Sequence, residues 1–174
     1  GSVLLIDEVD KSDEEFEALL LEILSEFQIS IPELGVRKAD IKPLVVLTSN
    51  NSREIGDALK RRCLHLYIPF PDAKLERQIV QARVPEISES MQIQLVNFVQ
   101  GIRELDLKKL PAISETIDWA KTVILLNSEE LDAKLAEDTL NVLLKHQQDI
   151  EVVKKEIPAL VSSATETSDG KSLN

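Results

Sequence analysis

The sequence predicts an α/β segment followed by an all-helical segment, and two observations carry this prediction. Up to about residue 71, short runs of leucine and β-branched residues alternate with stretches of helical periodicity. From residue 72 to 161, apolar residues recur at helical spacing with almost no strand pattern. Hydrophobic residues make up 43% of the chain and aromatic residues only 3%, which suits helices packed around an aliphatic core. Residues 162–174 are polar and are expected to form a disordered tail.

Individual elements follow from the same patterns. The runs at residues 3–6 and 44–48 are continuously apolar, as expected for strands buried on both faces of a parallel sheet. Ser12 is expected to cap the helix that follows the first strand, with Glu15 completing a capping box. Further strands are expected at residues 28–31, 36–41 and 64–68. Further helices are expected at residues 54–61, 73–83, 89–104, 114–126 and 133–146, separated by Pro85, Pro111 and Pro158.

Composition excludes several classes of protein. The 20 basic and 31 acidic residues give a net charge of −11, which disfavours a general nucleic-acid binder. One cysteine, Cys63, excludes a disulfide framework and a cysteine-based zinc site. No apolar run approaches the ~18 residues of a membrane span, and no signal-peptide pattern opens the chain. The expected setting is cytoplasmic, with no membrane partner.

The beginning of the chain looks cut from a longer protein. Gly1-Ser2 is typical of a scar left by tag removal. A strand pattern follows at once, although a buried strand rarely opens a natural domain. We therefore expect the chain to be a fragment.

The first candidate site follows the first strand. Asp7 and Glu8 come directly after Val3–Ile6, at the strand end where open α/β sheets bind ligands. The first acid can hold Mg²⁺ together with phosphate oxygens. The second can orient or deprotonate a water that attacks a terminal phosphate. Taken alone, the pattern is equally compatible with a strand that ends in a solvated acidic turn.

Two later segments favour the phosphate-site interpretation. The second long strand run ends at Thr48-Ser49-Asn50, where a neutral amide can contact a γ-phosphate or its attacking water. Arg61 and Arg62 then end a short helix. They can complement the helix dipole, or one of them can serve as an arginine finger in phosphoryl transfer.

In this order the motifs resemble the second half of an AAA+ ATPase, and most closely the MoxR branch. The resemblance is carried by LLIDEVDKSDEEFEALLLEIL, FQISIPELG, VVLTSNNSREIGDALKRRCLHLYIPFPD and LPAISETIDWAK. It covers residues 3–127. It implies a partial P-loop NTPase core over residues 1–71 and a helical lid over residues 72–161.

The resemblance also implies roles for particular residues. Asp7 matches the Walker B acid that holds Mg²⁺ through water, and Glu8 matches the catalytic glutamate. Asn50 matches the sensor 1 residue that contacts the nucleotide. Arg62 matches the arginine finger acting on a neighbouring subunit, with Arg61 as the alternative. Residues 27–41 resemble the pre-sensor 1 hairpin.

The same resemblance implies cofactors and partners for the full-length protein. These are ATP and Mg²⁺, a hexameric ring of identical subunits, a protein substrate that is remodelled, and a possible von Willebrand factor A domain partner.

Two departures from the family keep other functions open. The sequence contains no GxxxxGK[ST] phosphate loop, which would lie upstream of Val3, so the fragment alone is expected to be inactive. The sensor 2 arginine expected near Thr116 is missing. Either Lys108 or Lys109 replaces it, or the lid makes no γ-phosphate contact. A non-hydrolysing adaptor is therefore the alternative function, and a nucleic-acid loader, opposed by the net charge, is the third.

The remaining distinctive side chains are expected to be structural. Trp119 lies at helical spacing with apolar neighbours and is expected in the lid core. Cys63 precedes a predicted strand and is expected to be a small core residue. His65 and His146 have no metal-ligand companion at suitable spacing.

Overall fold

The computed structural model describes residues 1–50 and 52–166 and divides into two compact units. The first unit is Gly1–Ile68 and the second is Pro69–Asn174, so the boundary falls close to the predicted change of character at residue 71. The fold is mixed α/β. The described part contains seven α-helices, a parallel sheet of two strands and an antiparallel hairpin.

The first unit carries the strands. Its elements are β1 (Val3–Ile6), a 3₁₀ turn (Val9–Lys11), α1 (Glu14–Glu26), β2 (Gln28–Ile31), β3 (Gly35–Lys38), β4 (Leu44–Leu47) and α2 (Asp57–Lys60). β1 pairs in parallel with β4. β2 pairs with β3 through the turn that precedes Gly35, whose φ of 73° suits glycine. Both expected arms of the hairpin form, while α2 is shorter than the helix predicted over residues 54–61.

The N-cap of α1 differs from the prediction. Asp13 caps the helix, and its Oδ1 accepts the N–H of Phe16 at 2.8 Å. Ser12 instead donates its hydroxyl to the carbonyl of Val9 at 2.7 Å, closing the 3₁₀ turn. The predicted capping box with Glu15 is wrong because the helix starts one residue later, where an aspartate is an equally good cap.

Only one face of the parallel sheet is covered, which corrects the expectation of strands buried on both faces. Residues of β1 and β4 that alternate towards α1, such as Ile6 and Leu47, pack against the small core of Val9, Leu20 and Leu59. The opposite face is open to solvent. Val3, Leu5 and Leu44 on that face are 66%, 60% and 65% exposed. No described element packs on this face, so the apolar residues there stay in contact with water.

The strand predicted over residues 64–68 does not form. These residues have no regular secondary structure, and the Leu64 and Leu66 side chains are 103% and 85% exposed. A strand needs a hydrogen-bonded neighbour, and among the described residues each strand of the parallel sheet pairs only with the other. The sequence of residues 64–68 alternates as a strand does, but no described strand pairs with it.

The second unit is helical. It contains α3 (Ala73–Arg83), α4 (Glu89–Arg103), α5 (Ile113–Leu125), α6 (Ala133–Leu143) and α7 (Gln147–Glu166). Trp119 is fully buried, lies 5.2 Å from Phe98 between ring centroids, and donates its indole N–H to Thr139 at 2.7 Å. Its prediction as a core residue is confirmed.

The last helix differs from the prediction. Pro158 lies inside α7, where it was expected to separate helices. A proline removes one backbone hydrogen-bond donor from a helix. The helix nevertheless continues through Pro158, and α7 packs against α4 and α6. Residues 162–166, expected in the tail, are helical. Residues 167–174 of that predicted tail lie outside the described residues.

A buried ion pair organises the helical unit. Glu76 on α3 is fully buried, and Nη1 and Nη2 of Arg103 on α4 donate to its two oxygens at 2.6 and 2.8 Å. Thr116 and Gln100 donate to the same carboxylate at 2.8 and 2.7 Å. Phe70 lies 4.7 Å below the guanidinium. The four donors and the ring compensate the cost of burying this carboxylate and guanidinium.

None of the described helices is both long enough and apolar enough to cross a bilayer.

Candidate functional site

The ends of β1 and β4 meet at one edge of the parallel sheet, with Ile6 opposite Leu47. The backbone pairing continues one step further, because the Thr48 N–H donates to the carbonyl of Ile6 at 3.0 Å. The hydroxyl of Thr48 then accepts the backbone N–H of Glu8 at 3.0 Å and donates to the carboxylate of Asp7. One hydroxyl thus holds both acidic residues against the end of β4.

Each carboxylate oxygen of Glu8 accepts a hydrogen bond from a different side chain. Its Oε1 accepts a hydrogen bond of 3.0 Å from Nδ2 of Asn50. Its Oε2 pairs with Nζ of Lys11 at 2.6 Å, and this hydrogen bond raises the pKa of Lys11 above 10.5. The backbone of Glu8 is left-handed, at φ 53° and ψ 46°, a conformation that costs a non-glycine residue about 1–2 kcal/mol. Strained backbone of this kind concentrates at functional sites.

The structure adds Asp10, which the sequence did not single out. Asp10 is only 2% exposed. Its Oδ1 accepts the backbone N–H of Asn50 at 3.2 Å, and its Oδ2 accepts the N–H and hydroxyl of Ser52 at 2.8 and 2.5 Å. The hydrogen bonds from Ser52 hold the pKa of Asp10 far below its ordinary value of 3.8.

Arg53 fastens the same loop to α1. Its Nη2 donates to Oε1 of Glu17 at 2.6 Å and to the carbonyl of Ser12. Side-chain hydrogen bonds therefore join the segment that follows β1, residues 7–17, to the segment that follows β4, residues 48–53.

The predicted arginine fingers lie elsewhere in this unit. Nε of Arg62 donates to the hydroxyl of Ser25 on α1 at 2.7 Å, and its Nη1 donates to the carbonyl of Ala58 at 2.8 Å. Nε of Arg61 donates to the carbonyl of Asp57 at 3.3 Å. Both side chains are exposed. The structure thus brings Asp7, Glu8 and Asn50 together, and it does not bring Arg61 or Arg62 to them.

The expected sensor 2 position faces the interior of the helical unit. Thr116 is fully buried, with its hydroxyl on Glu76. The arginine beside it, Arg103, is committed to the buried ion pair with Glu76. The backbone N–H groups of Lys108 and Lys109 both donate to the carboxylate of Asp149, at 2.9 and 3.2 Å. Arg103 is therefore buried in this ion pair and does not supply an exposed guanidinium near Thr116.

Cys63 is half-buried, not fully in the core as predicted. Burial raises the pKa of its thiol. Among the described residues, no group of three or more His, Cys, Asp or Glu side chains is arranged to hold a metal ion.

The acidic site fits part of what Mg²⁺–ATP requires. Mg²⁺ is commonly bound through only one or two carboxylates plus phosphate oxygens, and the Asp7 carboxylate is a donor of that kind. A cavity of about 160 Å³ lies beside the end of β4, lined by Leu47, Thr48, Cys63 and Leu64 among others. Ligand pockets usually enclose about 300–1,000 Å³, so this cavity by itself is too small for a nucleotide.

Two site residues carried a weak signal in the sequence. Thr48 begins the run Thr48-Ser49-Asn50, and that run gives no indication that its hydroxyl contacts Asp7 and Glu8. Asp10 could be suspected as a third acid shortly after the strand, but its burial depends on Ser52, which lies 42 positions away. Long-range hydrogen bonds of this kind leave no local pattern.

The chain matches no protein-family model, and no curated protein is similar enough to count as a match.

Proposed function

We propose that the chain is part of a MoxR-type AAA+ ATPase. Its ATP binding and hydrolysis would be coupled to chaperone-like remodelling or maturation of a partner protein complex. The observation that carries this proposal is the cluster of Asp7, Glu8 and Asn50 at the ends of two neighbouring parallel strands, with an amide and a carboxylate 3.0 Å apart. The quoted sequence motifs support it.

Each residue has a role in the proposed reaction. Glu8 accepts the proton of the attacking water, and Asn50 orients that water and the γ-phosphate. Asp7 holds Mg²⁺ through water. Bound ATP would supply the phosphoanhydride, and Mg²⁺ would neutralise charge on its phosphates. Arg62, or Arg61 as the alternative, acts on the site of a neighbouring subunit in a hexameric ring.

The chain alone is proposed to be inactive, because it carries no phosphate loop and its cavity beside β4 is small. The test is the coding sequence upstream of Val3, which should encode GxxxxGK[ST] roughly 60 to 80 codons earlier. A polypeptide extended to include that loop should hydrolyse ATP, and Glu8→Gln in it should retain nucleotide binding and abolish turnover. Unchanged turnover would refute the role of Glu8.

A non-hydrolysing adaptor is the second candidate, favoured by the same missing loop. In that case no phosphate loop is encoded upstream, and the acids at the end of β1 have no catalytic role. ATP hydrolysis that disappears on replacing Arg62 would exclude the adaptor. In either case we propose a cytoplasmic protein whose partners are proteins, including a possible von Willebrand factor A domain.

A further inference from the structure

Asp10 is a buried carboxylate that the proposed chemistry does not use. It follows Glu8 by two residues and sits in the 3₁₀ turn, yet its two oxygens reach the loop after β4. It has no cationic partner among the described residues, since all three of its side-chain contacts are backbone N–H or hydroxyl donors. A buried acid that accepts three hydrogen bonds from one loop fixes that loop's backbone.

We propose that Asp10 is the positioning residue that aims Asn50 at Glu8. The backbone N–H of Asn50 is bound by Asp10, and the side chain of the same Asn50 contacts Oε1 of Glu8 at 3.0 Å. Because Glu8 and Asp10 belong to one short turn, that turn binds both the backbone N–H and the side-chain amide of Asn50. The inference rests on the proposed function only in the role that it gives to the Asn50–Glu8 pair.

The other contacts around Asn50 do not replace Asp10. Thr48 fixes the backbone where β4 ends, but it lies two residues before Asn50 and contacts Asp7 and Glu8. Arg53 fixes the loop to α1 three residues later. Between these anchors, Asp10 is the described side chain that binds the backbone of Asn50.

The test uses NMR on the 174-residue chain without nucleotide. In the unmodified chain, the side-chain amide of Asn50 should show a nuclear Overhauser effect to the Hγ protons of Glu8. Asp10→Asn keeps the size of the side chain but cannot accept the donors of Ser52 on its amide nitrogen. We expect this Overhauser effect to be lost and exchange of the Asn50 backbone amide to accelerate at least about tenfold. Amides in the β1–β4 ladder should keep their protection.

Asp13→Asn is the matched control. It removes the same charge three residues away, and asparagine caps a helix as well as aspartate, so the Asn50–Glu8 contact should persist. An unchanged contact in Asp10→Asn would overturn the proposal.

If the ladder amides also lose protection in Asp10→Asn, the same Asn50–Glu8 contact is measured in Ser52→Ala instead. It removes one donor to Asp10 and keeps the charge. A weakened Asn50–Glu8 contact supports the proposal, and an unchanged contact overturns it. Because no nucleotide is present, failure of the ATPase proposal leaves these readouts unaffected.

Discussion

The side-chain amide of Asn50 donates a 3.0 Å hydrogen bond to the carboxylate of Glu8 across 42 residues of sequence. The second oxygen of Glu8 pairs with Lys11. The carboxylate is therefore held in place by one neutral and one cationic donor. Each oxygen keeps a second lone pair and the side chain is 43% exposed, so the carboxylate can accept a water while both donors stay bound.

The ion pair of Lys11 should be visible in its titration. The hydrogen bond to Glu8 raises the pKa of Lys11 above 10.5. In Glu8→Gln the partner is neutral, so the pKa of Lys11 should fall towards its ordinary value, as measured from its ¹³Cε chemical shift.

Lys60 is the internal control for that titration. Its pKa is raised in the same way by Glu54, and Glu8→Gln should leave it unchanged. An identical pKa of Lys11 in both proteins would contradict the pairing in solution.

The pH dependence of the first unit should reflect Asp10. Its folded-state pKa lies below 3.8 because of the hydrogen bonds from Ser52, so ionised Asp10 stabilises the fold above about pH 4. That stabilisation is lost progressively as the pH falls further. Urea midpoints of the β1 and β4 amide signals, compared between about pH 5 and about pH 2, should drop less in Asp10→Asn than in the unmodified chain. Equal drops would show that other carboxylates account for the acid sensitivity.

Local patterns predicted the elements that depend on local physics. The bounds of β1 and α3 agree with the sequence, since a β-branched run and an amphipathic stretch with Asp72 as N-cap specify them directly. The contacts of Asp7 with Thr48 and of Glu8 with Asn50 also follow from parallel pairing of two strand ends.

Features that depend on distant partners could not be predicted in the same way. Residues 64–68 have a strand pattern, but alternation cannot reveal whether a neighbouring strand is present to pair with them. Pro158 is usually a helix terminator, and only the packing of α7 against α4 shows that the helix continues. The burial of Asp10 is likewise fixed by Ser52 and not by its sequence neighbours.

The helical unit should depend strongly on the ion pair of Glu76 and Arg103. Glu76→Gln preserves the shape but leaves a buried guanidinium without its counter-charge. Breaking such a pair typically costs about 3–5 kcal/mol. Denaturant unfolding followed by the fluorescence of Trp119, the single tryptophan and a core residue of this unit, measures the loss.

Lys121→Met is the control for that measurement. It breaks the exposed pair with Asp118, whose atoms are 3.5 Å apart, and should change the free energy of unfolding by less than about 0.5 kcal/mol. Similar losses in both variants would contradict the special cost of the buried pair.

The open face of the parallel sheet should promote self-association. Val3, Leu5 and Leu44 form an exposed apolar face beside strand edges that no other described strand pairs with, and such edges are templates for pairing between chains. Light scattering coupled to size-exclusion chromatography should show a mean mass that rises with concentration. Leu5→Thr with Leu44→Thr keeps the β-propensity and should reduce this rise.

Leu125→Ser removes a leucine of α5 that is even more exposed, at 80%, and should leave self-association unchanged. A monomer at all concentrations in the unmodified chain would contradict the role of the open face.

The proposed ring makes the two arginines distinguishable. Arg62 is tethered to Ser25 on α1 and Arg61 to the backbone of Asp57, and neither contacts Glu8 within its own chain. If Arg62 acts on a neighbouring subunit, Arg62→Ala in the extended, hydrolysing polypeptide should reduce kcat by about 10³-fold or more. Arg61→Ala should reduce it far less.

Mixing separates action between subunits from action within one. Subunits with Arg62→Ala keep an intact Glu8, and subunits with Glu8→Gln keep an intact Arg62. In a mixed ring, some sites combine Glu8 of one subunit with Arg62 of the next, so two inactive preparations should recover part of the ATP turnover. The double variant Glu8→Gln with Arg62→Ala, mixed with either single variant, provides no site that combines an intact Glu8 with an intact Arg62, so this mixture is the negative control. No recovery of ATP turnover in the mixture of the two single variants would contradict action of Arg62 on a neighbouring site.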